Sequence, residues 1–457
     1  MGLFTPADEM HRLAKRAMDS GVAQSRDEAE AMLYGYRVGL FLGPDEAVDE
    51  HHQTAMLTAV ALGRRVFLGG VSVDGDLDVP LLTPLSFGAT LRDAIVALGG
   101  TVGAPPDNAP LIAIGGPHRA RAMRFQVRTV FDGWRGGIVP AHADGLDAGN
   151  IGTIPLSPML AAALAVNEAF LHLSGELPAA GHRLMGLDLW NLSSGEGWLA
   201  ADGDAPELRY LPTKLWLIGL GHLGQAYLWG LGLLPYADPA SVSLVLQDDD
   251  AITPSNESTS ILSDRSLIGV KKARAMAAWA ERRGFQTAIT ERLFDNATRR
   301  RPDEPCIALC GLDNAAGRRA LDQVGFDFVV EAGLGRGHHD FRSLLVHTLP
   351  GALTATELWK DEAGASQTAT EAAAYRKMLD EGSLDRCGVT LLAGKAVGAP
   401  FVGAVAATLV LAEVLRLLHG GRLHRLLDMN LVDLGHFQSV PQLRDFSALN
   451  PGFVVRG

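Results

Sequence analysis

The chain has 457 residues, of which 52 are acidic (Asp and Glu) and 40 are basic (Lys and Arg), giving a formal net charge of −12. This length accommodates two or three domains with large cores, and the negative charge argues against binding to a nucleic-acid backbone. The three cysteines exclude a disulfide framework, and the charged N-terminus lacks the apolar core of a secretory signal, so we expect a cytoplasmic protein that binds neither nucleic acid nor membrane.

The first half of the chain contains strand-like apolar runs but no nucleotide-binding motif. Residues 10–18 (MHRLAKRAM) predict a solvated amphipathic helix. Residues 66–70 (VFLGG) and 112–116 (IAIGG) predict strands that end in glycine. Neither run is followed by a glycine loop with an Asp-x-Asp step, by a Lys-Ala pair or by an Asp-Asn-x-x-x-Arg motif. We therefore predict an inactive domain in this half.

A long apolar helix is predicted twice in the chain. Residues 155–175 (PLSPMLAAALAVNEAFLHLSG) align without gaps with residues 400–420 (PFVGAVAATLVLAEVLRLLHG). A His-Arg-Leu step and a predicted strand follow each copy, at residues 182–192 and 424–434. Two unrelated Ala/Leu-rich helices are the alternative interpretation. The shared order of helix, His-Arg-Leu and strand favours an internal duplication.

Two further segments bear on domain organisation. Residues 193–212, which are rich in Gly, Asp and Ser, predict a linker between the two domains. The longest apolar segment, residues 399–418, is interrupted by Gly403, Glu413 and Arg416. Those interruptions predict a buried or interfacial helix rather than a membrane span.

The second half opens with a strand-like run at residues 214–218 (KLWLI) and the glycine loop Gly219-Leu-Gly221-His-Leu-Gly224. A buried strand followed by glycines permits a sharp turn and a close approach to phosphate, whose charge the next helix N-terminus favours. Many nucleotide-binding proteins share this pattern, so a nicotinamide or flavin site is the alternative.

Polar residues after the glycine loop favour a nucleoside triphosphate over a nicotinamide. They are the acidic run Asp248-Asp249-Asp250, the Ser255-Asn256 step, Lys272, the Asp313-Asn314 pair and Arg318. In a nucleotidyl transfer, a cation neutralises charge that develops on the leaving pyrophosphate, and a carboxylate at a strand end holds magnesium. Each residue also has a plainer interpretation. The acids can form a solvated turn, Lys272 can be a surface lysine, and Asp313-Asn314 can cap a helix.

The order and spacing of these residues between positions 214 and 433 resemble the ThiF/MoeB/ubiquitin-activating-enzyme superfamily. Its members adenylate the C-terminal carboxylate of small ubiquitin-like or sulfur-carrier proteins, so the resemblance implies ATP and Mg²⁺. It implies that ATP contacts come from Gly219, Gly221, Gly224, Asp248, Asp250, Asn256, Lys272, Asp313 and Asn314. Asp248 would bind the ribose, Asn256 the triphosphate and Asp313 the magnesium ion. Lys272 and Asp313 would be catalytic, with Lys271 as a substitute for Lys272.

One departure from the family pattern concerns a phosphate-binding arginine. The family usually carries Arg-Gln three residues after the Asn, whereas this chain has Thr259-Ser260. The activity therefore requires an arginine from another position. The candidates are Arg265, Arg274 and, on an N-terminal helix of the kind that lends an arginine across family dimers, Arg12 and Arg16.

Cys387 is the candidate nucleophile, in a crossover segment at about residues 350–395. In the superfamily this region carries a cysteine that attacks the acyl adenylate. A plain loop cysteine is the alternative. Cys306 and Cys310 flank a predicted strand and are expected to be buried small apolar residues. The paired CxxC motif of many relatives is absent, so we predict no structural zinc.

The sequence thus predicts an α/β protein of two Rossmann-like ThiF-type domains that form a pseudo-dimer, of the bacterial type. The inactive domain is placed at residues 1–205 and the active adenylation domain at residues 206–457. The expected function is adenylation of a small ubiquitin-like protein with a C-terminal glycine, followed by transfer to Cys387 and to a conjugating-enzyme-like partner. A homodimer is a further expected assembly. The alternatives are a non-catalytic scaffold with a decayed nucleotide site, a sulfur-carrier adenylyltransferase and an NAD-dependent oxidoreductase.

Overall fold

The computed structural model describes residues 4–116, 125–143, 152–192, 196–200, 204–360 and 372–456. The chain forms two α/β halves, each built around one large β-sheet. The strands of the first half are β1 (Val38–Leu42), β2 (Val71–Gly75), β3 (Thr101–Val102), β4 (Leu111–Ile114), β5 (Gln126–Asp132), β6 (Arg135–Pro140) and β7 (Met185–Asp188). Its helices are α1 (Pro6–Glu9), α2 (Arg12–Asp19), α3 (Arg26–Gly35), α4 (Pro44–Ala47), α5 (Glu50–Val66), α6 (Leu91–Ala97) and α7 (Leu156–Leu173), with a 3-10 turn at Glu196–Leu199.

The second half contains the larger sheet and a short two-stranded ribbon. Its strands are β8 (Tyr210–Pro212), β9 (Lys214–Ile218), β10 (Ser243–Gln247), β11 (Gln286–Thr290), β12 (Ile307–Cys310), β13 (Phe328–Leu334), β14 (Ser343–Leu349), β15 (His424–Asn430), β16 (Asp433–Pro441) and β17 (Phe453–Val455). Its helices are α8 (His222–Leu233), α9 (Lys272–Arg282), α10 (Ala315–Val324), α11 (Ala355–Leu358), α12 (Ala373–Asp380), α13 (Arg386–Ala393) and α14 (Pro400–His419), with 3-10 turns at Pro239–Ser241, Pro254–Ser258 and Arg265–Leu267.

The two sheets share one topology. The first has the order β3-β2-β1-β4-β5-β6-β7, and the second has the order β11-β10-β9-β12-β13-β14-β15-β16. In each sheet the strands from the first edge through β5 or β13 are parallel, and the following strands are antiparallel. This is the doubly wound order, with a switch point between its first and fourth strands. The predicted fold class of two Rossmann-like domains is confirmed.

One strand prediction in the first half is wrong. Residues 66–70 are not a strand, because α5 continues to Val66 and the chain turns through Gly70, which has a φ of 122°. The strand begins one residue later, as β2. The apolar run predicted the wrong element because a buried helix end and a buried strand have the same composition. Sequence reasoning also missed β1, whose residues alternate poorly but are almost all buried.

The two long apolar helices lie between the halves. By length and composition α7 and α14 could each cross a membrane, but 89% of each apolar segment is buried within the protein. The two helices pack against each other, and α7 also packs against α5 while α14 packs against α8. Residues 400–419 are therefore a buried interfacial helix, as predicted. The domain division at residues 205 and 206 stays a prediction; within the predicted linker, β8 pairs with β17.

A buried glutamate occupies the matching position on each long helix. Glu168 on α7 accepts the backbone N–H of Gly181 at 2.9 Å, and Glu413 on α14 accepts the backbone N–H of His424 at 3.1 Å. Both carboxylates are fully buried. Each one therefore fixes the turn that leads from the helix into the next strand, which supports the duplication on structural grounds.

The buried pair of Glu413 and Arg416 gives a stability prediction. Both side chains are fully buried and are hydrogen-bonded to each other. Because Glu413→Ala leaves a buried guanidinium without its carboxylate, we expect the free energy of unfolding to fall by about 3–5 kcal/mol. The shift in urea midpoint, followed by circular dichroism, measures this change. The matched control is Glu381→Ala, which breaks the exposed pair with Lys377 and should shift the midpoint far less. Equal shifts would contradict the prediction.

Candidate functional site

The residues predicted to bind a nucleotide lie at one edge of the second sheet. Strands β10, β9 and β12 are neighbours and run parallel, so their carboxyl ends meet there. Gly219 directly follows β9 and Asp248 directly follows β10, while Asp313 lies three residues beyond β12. The structure therefore brings these residues together at the switch point between β9 and β12, where open α/β sheets bind ligands.

The glycine loop has the shape that an approaching phosphate requires. Gly219 has a φ of 80°, a left-handed conformation that favours glycine. A Cβ atom at Gly224 would collide with the carbonyl oxygen of Gly219, so only glycine lets α8 start this close to the loop. Open space lies beside Gly221, which is the N-cap residue of α8. The loop thus leaves room for an anion where the helix N-terminus attracts one.

Asp248 holds the glycine loop from the neighbouring strand. Its carboxylate accepts the backbone N–H of Leu220 at 2.7 Å and that of Asp250 at 2.8 Å. Burial raises the pKa of Asp248, and the nearby Lys272 ammonium and the two N–H groups oppose that rise. Each carboxylate oxygen can accept more than one hydrogen bond, so ribose hydroxyls can still bind here.

Lys272 faces the same edge of the sheet. It is the first residue of α9, and its side chain is 11% exposed. Its Nζ atom lies 2.8 Å from the Asp250 carboxylate and 3.9 Å from that of Asp248. The neighbouring Lys271 is exposed and donates to the carbonyl of Asp249. Lys272, rather than Lys271, therefore lies beside the carboxylate that supports the glycine loop.

Asp313 and Asn314 have different structural roles. Asn314 is the N-cap of α10, and its side chain accepts the backbone N–H of Gly317 at 2.7 Å. Asp313 is exposed, and its carboxylate forms no hydrogen bond or ion pair with the described part of the chain. Close packing of Gly311 against Gly219 places Asp313 beside the glycine loop. The helix-cap interpretation therefore applies to Asn314, whereas the Asp313 carboxylate is free to bind a ligand.

The segment that lacks the usual arginine lies in a tight turn. The Asn256 side-chain oxygen accepts the backbone N–H of Thr253 at 2.9 Å and closes the 3-10 turn Pro254–Ser258. Thr259 and Ser260 follow the turn and are both buried. A Cβ atom at Gly398 would come within 3.2 Å of the Thr259 methyl group. The space near Thr259 is therefore occupied by the segment that leads into α14.

Arg12 reaches this turn from the first half. Its Nη2 donates to the Ser255 hydroxyl at 3.0 Å, and its backbone N–H donates to the Ser258 hydroxyl at 3.2 Å. Its Nη1 atom is buried without a hydrogen-bond partner in the described structure. Burial also lowers the pKa of Arg12. A buried guanidinium nitrogen without a hydrogen-bond partner can bind an anion, and this one lies beside Ser255-Asn256.

The other predicted arginines are engaged elsewhere. Arg16 pairs with Glu176 at 2.5 Å, Arg265 with Glu257 at 3.3 Å, Arg274 with Glu291, and Arg318 with Glu331 at 2.7 Å. Arg16 also lies over the ring of Phe170, which makes it part of the junction between halves. Arg318 donates to the carbonyl of Leu312 and thereby supports the loop that carries Asp313.

Sequence reasoning missed a second arginine from the first half. Arg65 on α5 donates to the carbonyls of Ser260 at 3.1 Å and Ser263 at 2.8 Å. Gln225 then links the Ser263 hydroxyl to the Leu220 carbonyl of the glycine loop. Burial lowers the pKa of Arg65. No local pattern could reveal this residue, because the contact joins segments about 195 positions apart.

The first half holds a carboxylate at its own switch point. Glu46 accepts the backbone N–H of Gly116 at 3.1 Å, just beyond β4. A Cβ atom at Gly43, just beyond β1, would collide with the same carboxylate. A negative charge therefore lies where a phosphate would have to approach the first half. This arrangement supports the prediction that the first half does not bind a nucleotide.

Cys387 is exposed on the first turn of α13, which Asp385 caps by accepting the N–H of Gly388 at 2.7 Å. Helix α13 packs against α1, and Lys395 lies 3.6 Å from Asp8. Within the described residues, no hydrogen bond or ion pair joins Cys387 to the nucleotide cluster. Residues 361–371 of the predicted crossover segment lie outside the described residues. The other two cysteines are unpaired; Cys310 is buried, as predicted, and Cys306 is half-buried.

His222 is a further site residue that sequence reasoning missed. It lies within the glycine loop, and its Nε2 atom is buried without a partner in the described structure. A Cβ atom at Gly403 would collide with this ring, so α14 presses directly on the loop. Burial lowers the pKa of His222 to about 4.

The low pKa of His222 gives a pH prediction. An unfolded histidine has a pKa of about 6.5, so between that pH and about 4 the unfolded chain binds more protons than the folded chain. The stability that depends on neutral His222 is complete above about pH 6.5 and is lost as the pH falls toward 4. We therefore expect the urea midpoint of the wild type to fall more steeply on acidification than that of His222→Gln. His339→Gln, at an exposed position, should keep the wild-type slope; equal slopes for all three proteins would contradict the prediction.

The two doubly wound sheets, of which the second carries Asp248, Lys272 and Asp313 beside a glycine turn, define a two-domain Rossmann-like α/β protein. Models of the BilD N-terminal domain and the BilD C-terminal domain match residues 37–189 and 211–421. The bacterial E1-like protein BilD of Collimonas sp. (strain OK412) is 44% identical over 424 residues, which cover 92% of this chain and 91% of that protein. The chain therefore belongs to the BilD family.

Several solved structures share part of the fold. E. coli MccB with MccA-N7isoASN has a TM-score of 0.35 and 17% identity, covering 50% of this chain and 64% of that chain. E. coli MccB with ATP has a TM-score of 0.33 and 16% identity, covering 51% and 65%. PaaA has a TM-score of 0.34 and 14% identity, covering 50% and 65%. The chain thus spans slightly less than two thirds of these proteins, and the likeness is too distant to assign a function.

Proposed function

We propose that this protein uses ATP to adenylate the C-terminal carboxylate of a small ubiquitin-like protein. The observation that carries the proposal is the convergence of the glycine turn, Asp248, Lys272 and Asp313 at one sheet edge, with the unpaired Arg12 nitrogen nearby. A nucleoside triphosphate requires space for its phosphates, an acceptor for its ribose hydroxyls and cations near its charge. The glycine turn, Asp248, and Lys272 with Arg12 would meet these three requirements in that order. The E1-like name of the Collimonas relative supports the same activity.

The residues present fit both ATP and magnesium. Mg²⁺ is commonly held by one or two carboxylates together with substrate phosphates, and Asp313 offers an exposed carboxylate beside the phosphate cradle. When bound, the ion would neutralise charge on the triphosphate. Arg12 supplies the guanidinium that Thr259 does not. It does so within one chain, because the first half places α2 against the turn at Ser255.

The proposed first step is a displacement at the α-phosphorus of ATP. An oxygen of the substrate carboxylate forms a bond to that phosphorus, and the bond to the oxygen that bridges the α- and β-phosphates breaks. Acyl-AMP and pyrophosphate are the products. Lys272 and Arg12 would stabilise the charge that moves onto pyrophosphate. Phosphate binding by Lys272 exchanges its present ion pair with Asp250 for a new one.

The proposed second step uses the Cys387 thiolate. Its sulfur attacks the acyl carbon, AMP leaves with the bonding electron pair, and a thioester remains on the enzyme. The acyl group then passes to the thiol of a conjugating-enzyme-like partner. The exposed position of Cys387 supports access for both proteins. The doubled architecture favours this pathway over sulfur-carrier adenylation, which remains the nearest alternative.

A non-catalytic scaffold is the second candidate function. Two observations favour it: Thr259 stands where the family has arginine, and the Lys272 ammonium is already paired with Asp250. A scaffold would bind the ubiquitin-like protein without catalysing exchange between ATP and pyrophosphate. Pyrophosphate exchange therefore separates the two candidates.

The adenylation step can be tested by carrier-dependent exchange of radiolabelled pyrophosphate into ATP. The carrier is the purified small ubiquitin-like protein with a C-terminal glycine from the same genome. We expect exchange by the wild type and a loss of about 100-fold in Lys272→Ala and Arg12→Ala, because each removes a cation that stabilises the transition state. Arg274→Ala, two residues from Lys272 but facing Glu291, should retain full exchange. Absence of exchange by the wild type would leave the scaffold as the function.

The role of Cys387 can be tested apart from adenylation. Cys387→Ala should retain pyrophosphate exchange and lose the adduct that reducing agents cleave, because only the thioester step needs the sulfur. Gel electrophoresis without reductant detects the adduct. Cys306→Ser changes a half-buried cysteine away from α13 and should retain it. A reductant-sensitive adduct on Cys387→Ala would exclude Cys387 as the acceptor.

A further inference from the structure

One exposed cation at the carboxyl edge of the second sheet has no role in the reaction described above. Arg336 lies two residues beyond β13, the strand next to β12. Strand β13 runs parallel to β12, so Arg336 and Asp313 follow adjacent strands at the same edge. Asp248 and Lys272 lie on the opposite side of the glycine loop, at the end of β10. Arg336 therefore borders the crevice on the β13 side, whereas Lys272 borders it on the β10 side.

The backbone of Arg336 is fixed by a hydrogen bond, whereas its guanidinium forms no ion pair among the described residues. Its carbonyl accepts the N–H of Val397 at 2.9 Å, and its Nη1 donates to the Asp313 carbonyl at 3.4 Å. The side chain is exposed and forms no ion pair among the described residues. The nearby Arg318 and Arg342 are neutralised by Glu331 and Glu176. The Cα position of Arg336 is thus fixed by the backbone, and its guanidinium is available to an anionic ligand.

The spacing of the strands indicates which part of a substrate meets Arg336. Adjacent strands lie about 4.8 Å apart, so the ends of β10 and β13 are separated by about 14 Å. With the ribose at Asp248 and the phosphates at the glycine loop, the α-phosphate lies toward β12. The attacking group must approach roughly in line with the leaving group. Since Lys272 would hold pyrophosphate on the β10 side, the attacking carboxylate would come from the β13 side.

We propose that Arg336 binds the C-terminal carboxylate of the substrate before adenylation and the acyl carbonyl of the acyl adenylate afterwards. This inference rests on the proposed function and identifies the residue that would bind the carboxylate of the ubiquitin-like protein. A carboxylate that approaches an anionic triphosphate is repelled, and a guanidinium beside Asp313 compensates that repulsion through a charge-assisted hydrogen bond. Arg336 would act on the acyl side, whereas Lys272 would act on the pyrophosphate side.

The inference can be tested by calorimetry with two adenosine compounds and no carrier protein. AMP occupies the nucleotide side alone, whereas N-acetylglycyl sulfamoyl adenosine is a stable mimic of the acyl adenylate. We expect Arg336→Ala to weaken binding of the mimic about tenfold or more and that of AMP less than about twofold, because the lost hydrogen bond involves a charged group. Arg265→Ala removes an exposed arginine near the turn that carries Asn256 and should change neither affinity.

A second variant separates charge from loop support. Arg336→Gln keeps the backbone hydrogen bond from Val397 and a polar side chain but lacks the cation, so we expect the same selective loss for the mimic. Equal losses for AMP and the mimic, or no loss for either, would overturn the role of Arg336 while leaving the proposed function intact. Failure of the wild type to bind either compound would overturn both. In pyrophosphate exchange, the supporting result is a higher KM for the carrier with an unchanged KM for ATP.

Discussion

The parallel pairing of β10, β9, β12 and β13 is the constraint on which the site depends. Residues that are scattered over more than 100 positions meet only because these strands end at one edge. The doubly wound order adds the crevice, since the chain leaves β9 and β12 toward opposite faces of the sheet. The close packing of Gly224 on Gly219 then sets the distance between the loop and α8. Every chemical role proposed above requires this arrangement.

The first half contributes side chains to the segment beside the candidate site of the second half. Arg12 and Arg65 both cross the junction, one to Ser255 and the other to Ser260 and Ser263. The reverse contribution is absent from the described contacts at the first switch point, where Glu46 fills the space beside Gly116. The two halves therefore differ at their switch points: open space lies beside Gly221 in the second half, whereas the Glu46 carboxylate lies beside Gly116 in the first.

Local signals predicted the glycine loop, Asp248, Lys272 and Asp313, because a strand followed by a turn is encoded by adjacent residues. The resemblance to the superfamily placed Arg12 and Arg16 together as candidates, since the sequence of this helix cannot show which neighbour each residue contacts. The fold decides: Arg16 contacts Glu176, whereas Arg12 contacts Ser255. Arg65 and Arg336 could not be predicted from local sequence, because the residues that they contact lie elsewhere in the chain. The false strand at residues 66–70 reflects the shared composition of buried helices and buried strands.

Helix α2 links the two proposed chemical steps physically. Its Arg12 meets the turn beside the nucleotide cluster, while its Asp19 accepts the hydroxyl of Tyr375 at 2.5 Å and pairs with Lys15. Tyr375 belongs to α12, within the segment that also carries Cys387. The helix that carries Arg12 is thus held partly by the segment that carries Cys387. Thr259 instead lies against the segment that leads into α14, since a Cβ atom at Gly398 would come within 3.2 Å of its methyl group.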